Sequence, residues 1–209
     1  MNWSYMAGYF DVVVFENSDT IENYQKLKFI SHNNPSVIIK RGKFGIKKTM
    51  DKIVANRNLV LNYIRKHTEY DYVVMLDSDV FPPVDFLSVF LKRKLDVQCS
   101  LCSVMQDGRT AKPAHNFFPE DIKDNAPRWM ATRKPRLVKI AQTGLGCVMF
   151  KADIFRKHKN LKFINKKIRK DGKTWYNEDL YFTGKVRELG YDLWLDLKAE
   201  SPHMVKKRA

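Results

Sequence analysis

Cysteine is scarce in this chain of 209 residues: there are three, Cys99, Cys102 and Cys147. An odd number cannot close into a full set of disulfides, which favours a reducing, cytoplasmic setting over a stapled extracellular scaffold. Cys99 and Cys102 form a C-x-x-C with no second pair to complete a zinc site. Lying inside the apolar Val97-Gln-Cys-Ser-Leu-Cys-Ser-Val104, they read as buried strand cysteines. Long apolar runs are also missing. The longest is a handful of residues against the roughly 20 needed to span a bilayer, and no charged-then-apolar leader is evident at the start. Acidic residues are in short supply, 23 against 38 lysines and arginines, for a net charge of +15. Such a field favours phosphates, acidic sugars or anionic headgroups as partners. The positive charge is spread over Lys40 to Lys48, Arg128 to Lys139, Arg156 to Lys173 and Lys206 to Arg208, so it forms no single nucleic-acid stripe. Neither a repeat nor a low-complexity segment is evident, and the length suits one domain with a full core. The basic tail, with no clear terminal element, raises the expectation of a module from a longer polypeptide.

What is present is an alternation of strand and helix patterns. Phe10 to Phe15 reads as a strand with the polar exit Glu16 to Thr20, and Ile21 to Ile30 as a helix. Val37 to Ile39 is the next strand, Gly42 and Gly45 mark a loop, and Thr49 opens a helix to about His67. Tyr72-Val-Val-Met-Leu-Asp77-Ser-Asp79 follows as a strand ended by Phe81-Pro-Pro83. Phe86 to Lys94 reads as helix and Leu95 to Met105 as strand. This order implies an α/β fold with a mainly parallel central sheet flanked by helices and right-handed crossovers. Gln106 to Lys139 shows no clear period and reads as a long functional loop containing His115 and Trp129. After it come the Gly144-Leu-Gly146 turn with a strand beyond it, a helix capped by Asn177 and stopped at Gly190, and a strand over Tyr191 to Lys198. His203 is expected just past that strand.

Three features carry chemistry. Asp77 and Asp79 close a buried strand where open α/β sheets bind ligands, and two near carboxylates suit a hard divalent cation; a plain acidic turn is the alternative. If the strand continues through them, their side chains project the same way and Ser78 opposite. The helical stripe Met50, Ile53, Val54, Val60, Leu61 and Ile64 has Arg57 at its centre, and a charge there needs an anionic partner, within the fold or in a ligand. Glu178 and Asp179 open a helix, where acids complement the dipole whether or not they do chemistry.

Taken together, Arg57-Asn58, Asp77-Ser-Asp79, Thr143-Gly-Leu-Gly146, Glu178-Asp179 and His203 resemble the nucleotide-sugar-dependent glycosyltransferases of the GT-A fold. The resemblance runs from about Phe10 to His203 and is strongest in ANRNLVLNYIRKHTEYDYVVMLDSDV and NEDLYFTGKVRELGYDLWL. More narrowly, the chain is similar to the amino-terminal domain of multidomain chlorella-virus glycosyltransferases, which would put it in a host cytoplasm. The resemblance implies a single GT-A (Rossmann-like) domain with a nucleotide-binding half over about 1–105 and an acceptor and catalytic half over about 106–209. It implies Mn²⁺ or Mg²⁺ held by Asp79, His203 and Asp77, with Asp77 also near the ribose. It puts Asn17, Ser18, Arg57, Asn58, Asp77, Ser78 and Gly144 at the donor. Asp179 is implied as the base of an inverting transfer, supported by Glu178. The donor would be a UDP-sugar and the acceptor a glycan or glycoprotein, with no specific nucleic acid and at most peripheral membrane contact. The chain departs from the family in lacking a further early strand and clear acidic base-binding residues beyond Glu16 and Asp19. Two other readings follow from the residues: a haloacid-dehalogenase-like phosphatase using Asp77 as nucleophile, and a basic nucleic-acid or membrane-surface binding module.

Overall fold

The computed structural model describes residues 10–106, 109–110, 117–119, 136–165, 167–170, 173–176 and 178–204. His115, Trp129 and Asn177 lie outside the described residues. The chain forms two compact units, Met1–Lys66 and His67–Ala209.

In the first unit, β1 (Val12–Glu16) and β2 (Val37–Arg41) pair in parallel, joined by helix α1 (Glu22–His32) and followed by α2 (Thr49–Lys66). Branched Val and Ile dominate both strands, as a parallel pair under a helix requires. Ile39, Leu61 and Ile64 form its buried interior, with Phe15 and Tyr63 meeting edge to face at 6.1 Å. The α2 stripe differs from expectation at its centre. The fully buried polar residue is Asn56, whereas Arg57 is half-buried. An amide can satisfy its polar atoms inside the unit, and Asn56 does so. Its Oδ1 accepts the Lys43 N–H at 2.7 Å, and its Nδ2 donates to the Lys43 and Lys52 carbonyls at 3.0 and 2.7 Å.

The second unit is built on a seven-stranded mixed sheet. Its strands are β3 (Tyr72–Leu76), β4 (Val97–Gln106), β5 (Arg109–Thr110), β6 (Phe117–Pro119), β7 (Leu137–Thr143), β8 (Cys147–Lys151) and β11 (Leu193–Met204). The order is β3-β8-β4-β11-β7-β6, with β5 on β4. The sheet is mixed rather than mainly parallel: β3, β4 and β11 share one direction, β8 and β7 run against them, and of its pairings only β4 with β11 is parallel among the described residues. β9 (Lys167–Lys170) and β10 (Lys173–Tyr176) form a separate antiparallel hairpin.

Helix α3 (Phe86–Arg93) covers one sheet face, where Val80, Phe86, Phe90, Cys102, Cys147, Met149 and Ala199 cluster. The neighbouring residue Phe150 points to the opposite face, as strand alternation demands. There it meets Phe155 of α4 (Asp153–Lys157) and Phe182 of α5 (Glu178–Glu188), and Phe163 stacks on Phe182 at 3.9 Å. Layers of helix on both sides of a sheet make this an α/β fold. Among the described residues no helix is long and apolar enough to cross a membrane.

Three further expectations change. β5, β6 and the first three residues of β7 occupy sequence expected to be loop, because their pairings with β4, β7 and β11 are long-range or short events that local composition does not signal. β11 extends to Met204, so His203 lies within a strand rather than past its end. A register shift between Asp196 and Glu200 lets β11 continue, and Pro202, which lacks an N–H, still pairs opposite Ser103. Finally, β3 stops at Leu76, and residues 77–80 turn, with Val80 N–H donating to the Asp77 carbonyl at 3.1 Å. Strand alternation therefore does not govern Asp77 and Asp79.

Candidate functional site

The second unit brings Asp77, Asp79 and Asp179 to one end of the sheet, largely through backbone hydrogen bonds. Beyond the 77–80 turn the chain runs against the end of β11. Val80 bridges His203, Phe81 N–H donates to Pro202 O at 2.9 Å, and Met204 N–H donates to Asp79 O at 2.8 Å. These bonds fix the Asp79 carboxylate against the His203 ring, with Oδ2 3.1 Å from Nε2. The carboxylate is about half exposed (52%) and the imidazole less so (31%), so the pair faces solvent with an oxygen and a nitrogen donor side by side. Ser78 is exposed and Asp77 half-buried.

The Gly144-Leu-Gly146 turn, between β7 and β8, connects Asp77 with Asp179. Gly146 O accepts the Asp77 N–H at 3.0 Å, and the adjacent Leu145 N–H donates to Asp179 Oδ2 at 3.2 Å. Gly146 is required for close approach, since a Cβ there would sit 2.9 Å from Cys102 Sγ and 3.3 Å from Val80. Asp179 lies in the first turn of α5, which favours an ionised carboxylate. Glu178 beside it is buried. The helix start is pinned by Thr183, one turn on from Asp179. Its hydroxyl accepts the Thr143 N–H at 3.1 Å and lies 2.9 Å from Thr143 O and 3.0 Å from Asp179 O as donor. Thr183 and the Leu145 N–H were not singled out from sequence. The signal available was the i, i+4 spacing that puts Thr183 and Asp179 on one helix face.

In the first unit, the loops after the parallel strands β1 and β2 emerge at the same edge. Glu16, buried at the end of β1, ion-pairs with Arg41 and accepts hydrogen bonds from the Ser18 hydroxyl and from Ser18 N–H at 2.7 Å. Burial pushes the Glu16 carboxyl up, but Ser18 and Arg41 outweigh it and hold the group below the usual carboxylate range. Arg41 also donates to Ser18 O at 2.9 Å and lies over the Phe44 ring at 4.5 Å. Asp19 takes the Gly45 N–H at 3.1 Å and Lys52 Nζ at 2.9 Å. Gly42 has no room for a Cβ, which would meet Asn56 Oδ1 and Glu16 O. The Asn17–Ser18 loop is thus shaped by Glu16 and Arg41, two residues the sequence reading left in the background.

Asp79 and His203 come together; Asp77 and Asp179 are each tied to the Gly144–Gly146 turn. Among the described residues no three of His, Cys, Asp or Glu converge as a metal-binding set. The pair alone suits a cation that takes most of its coordination from water and substrate phosphate, which is how Mg²⁺-type sites are commonly built.

No protein-family model matches the chain, and no curated protein matches it in sequence. Solved structures do match in fold. GalNAc-T7 with UDP, GalNAc and Mn²⁺ aligns at TM-score 0.59 and 14% identity, over 96% of this chain and 38% of that one. S. aureus TarS 1-349 in complex with UDP-GlcNAc aligns at TM-score 0.58 and 16% identity, over 96% of this chain and 50% of that one. The STIV protein A197 aligns at TM-score 0.51 and 16% identity, over 94% and 84%. The fold is that of the GT-A glycosyltransferases. The chain spans half or less of the length of the two enzymes whose structures hold a UDP ligand.

Proposed function

We propose that this chain is a metal-dependent glycosyltransferase that moves a sugar from a UDP-sugar to a hydroxyl of a glycan acceptor, with inversion. The observation that carries the reading is the Asp79–His203 pair, 3.1 Å apart and open to solvent at the end of β3 in a GT-A fold. The two neighbours with UDP ligands support the donor class, and the Mn²⁺ named with one of them supports the metal.

On this reading Asp79, His203 and Asp77 would hold Mn²⁺ or Mg²⁺, with Asp77, half-buried, also near the donor's ribose. When bound, the cation supplies charge that stabilises the departing diphosphate. Asp179 accepts the proton of the acceptor hydroxyl as its oxygen attacks the sugar carbon and the bond to the diphosphate breaks. The Leu145 N–H and Thr183 hold Asp179 in place for that transfer, and Glu178 supports the same helix start. Ser78 and Gly144 line the donor; Asn17, Ser18, Arg57 and Asn58 of the first unit are the nucleotide contacts that the sequence resemblance implies. Arg41 and Glu16 keep the Asn17–Ser18 loop in shape.

The test separates binding from chemistry. Asp179→Ala is expected to bind UDP-sugar in the presence of Mn²⁺ within about twofold of wild type and to lose transfer by about 10²–10⁴-fold, the usual worth of a positioned base. Loss of donor binding in that variant, or retained transfer, would overturn the assignment.

A further inference from the structure

Helix α1 presents apolar side chains to solvent on the side away from the sheet. None of its residues is buried; Tyr24, Leu27 and Ser31 are half-buried, spaced i, i+3, i+7 along the side facing β2. Tyr24 faces inward to Arg41 at 5.7 Å. At 3.6 residues per turn Phe29 lies about 200° round from Leu27 and about 140° from Tyr24, so it points outward. It is 75% exposed, and Ile30 beside it is 60% exposed. Lys26 and Lys28 are exposed on either side of Phe29, His32 is exposed in the last turn, and the helix's one acid is Glu22 in its first turn.

We propose that this face of α1 docks the protein on an anionic phospholipid bilayer, with Phe29 and Ile30 entering the headgroup layer and Lys26 and Lys28 pairing with lipid charge. An outward Phe29, with Ile30 on the flank and lysines at about 60° and 100° to either side, offers apolar contact and positive charge together to a membrane interface. Charge complementarity selects the occupant. The chain carries a net +15, so its long-range field draws it to an anionic bilayer and repels a second copy of itself. This inference stands independently of the transferase reading.

The experiment is vesicle flotation of the full chain with phosphatidylcholine liposomes, with and without roughly 30% phosphatidylserine, the anionic lipid that gives the bilayer its negative surface potential. Binding is expected with phosphatidylserine, none with phosphatidylcholine alone, and a fall as salt is raised. Phe29→Ser/Ile30→Ser and Lys26→Glu/Lys28→Glu should each weaken binding by about tenfold or more. Lys159→Glu/Lys162→Glu, which removes equal charge from exposed positions elsewhere, should stay within about twofold. All these positions are solvent-exposed, and matching melting temperatures will show that the variants fold. The proposal is overturned if the α1 variants bind like wild type, or if the Lys159→Glu/Lys162→Glu variant weakens binding as much. It is also overturned if wild type is a dimer that Phe29→Ser/Ile30→Ser dissociates, which would make the face an interface between copies.

Discussion

At the scale of single residues, Asp79 and Asp179 occupy different settings, and the reading gives them different work. Asp79 is exposed beside His203; Asp179 is half-buried and tied to a backbone N–H. Asp79→Ala is therefore expected to lose the Mn²⁺-dependent part of donor binding, measured by calorimetry, while Asp179→Ala keeps it. The cysteines make a second residue-scale prediction. All three are free and buried. Burial, with neighbouring charges including Asp77, pushes Cys102 up to about 12 and Cys147 up to about 11; Cys99, wholly enclosed, is raised further. A thiol whose folded pKa is raised stabilises the fold fully below the unfolded value of about 8.5. That contribution is lost as pH rises towards the folded values, at about 1.4 kcal/mol per pH unit for each thiol. Native protein should thus resist iodoacetamide at pH 8 while unfolded protein takes three labels, and denaturant midpoints should fall steadily above pH 9. Rapid labelling of the native chain would contradict this.

At the scale of elements, the site depends on how α5 and β11 are anchored. Thr183→Val removes a buried hydroxyl and leaves the Thr143 N–H unsatisfied, which should cost about 1–3 kcal/mol. That is a drop of roughly 2–4 °C in melting temperature per kcal/mol for a chain of this size. β11 is anchored at its bulge by Asp196, fully buried, with Arg93 at 2.8 Å, Arg136 at 3.2 Å and the Lys198 N–H at 2.9 Å. Burial raises the Asp196 carboxyl, but Arg136, the Lys198 N–H and Arg93 together hold it below its ordinary value. A depressed carboxylate contributes stability above its unfolded pKa of about 3.9, and that contribution is lost as pH falls through the folded value. Asp196→Ala should destabilise at neutral pH by about 3–5 kcal/mol, as breaking a buried pair does, and the difference from wild type should shrink in acid. A constant difference down to pH 2 would show that the carboxylate charge is not what matters.

The elements also show what could be read in advance. β3, α1, α2, α3 and the Gly190 stop were legible, since each is set by local period and by end signals. Gly190 indeed adopts φ +93° after α5. The end of β3 was only half legible: the residues were found, but the 77–80 turn that orients them depends on pairing with β11 more than 100 residues later. β7 and the Pro202–Met204 end of β11 were missed for the same reason, because their partners are distant and their composition resembles loop. Asn56 and Thr183 were hidden among ordinary helix residues; only a buried backbone group waiting across the unit distinguishes them.

At the scale of the whole molecule, a strongly basic chain with a GT-A fold presents an acidic site within a positive field. On the proposed reading that combination suits a dianionic donor: the field would attract its diphosphate, and the acids would need a cation before they could accept it. Donor affinity should therefore depend on metal first and on salt second. The central claim is tested most directly by thermal shift of the full chain with UDP-sugars, with and without Mn²⁺, because a ligand that binds only the folded state raises the melting temperature. The account predicts a rise with UDP-sugar plus Mn²⁺ that is absent with either alone and absent in Asp79→Ala. An equal rise in that variant, or one that ignores Mn²⁺, would contradict it.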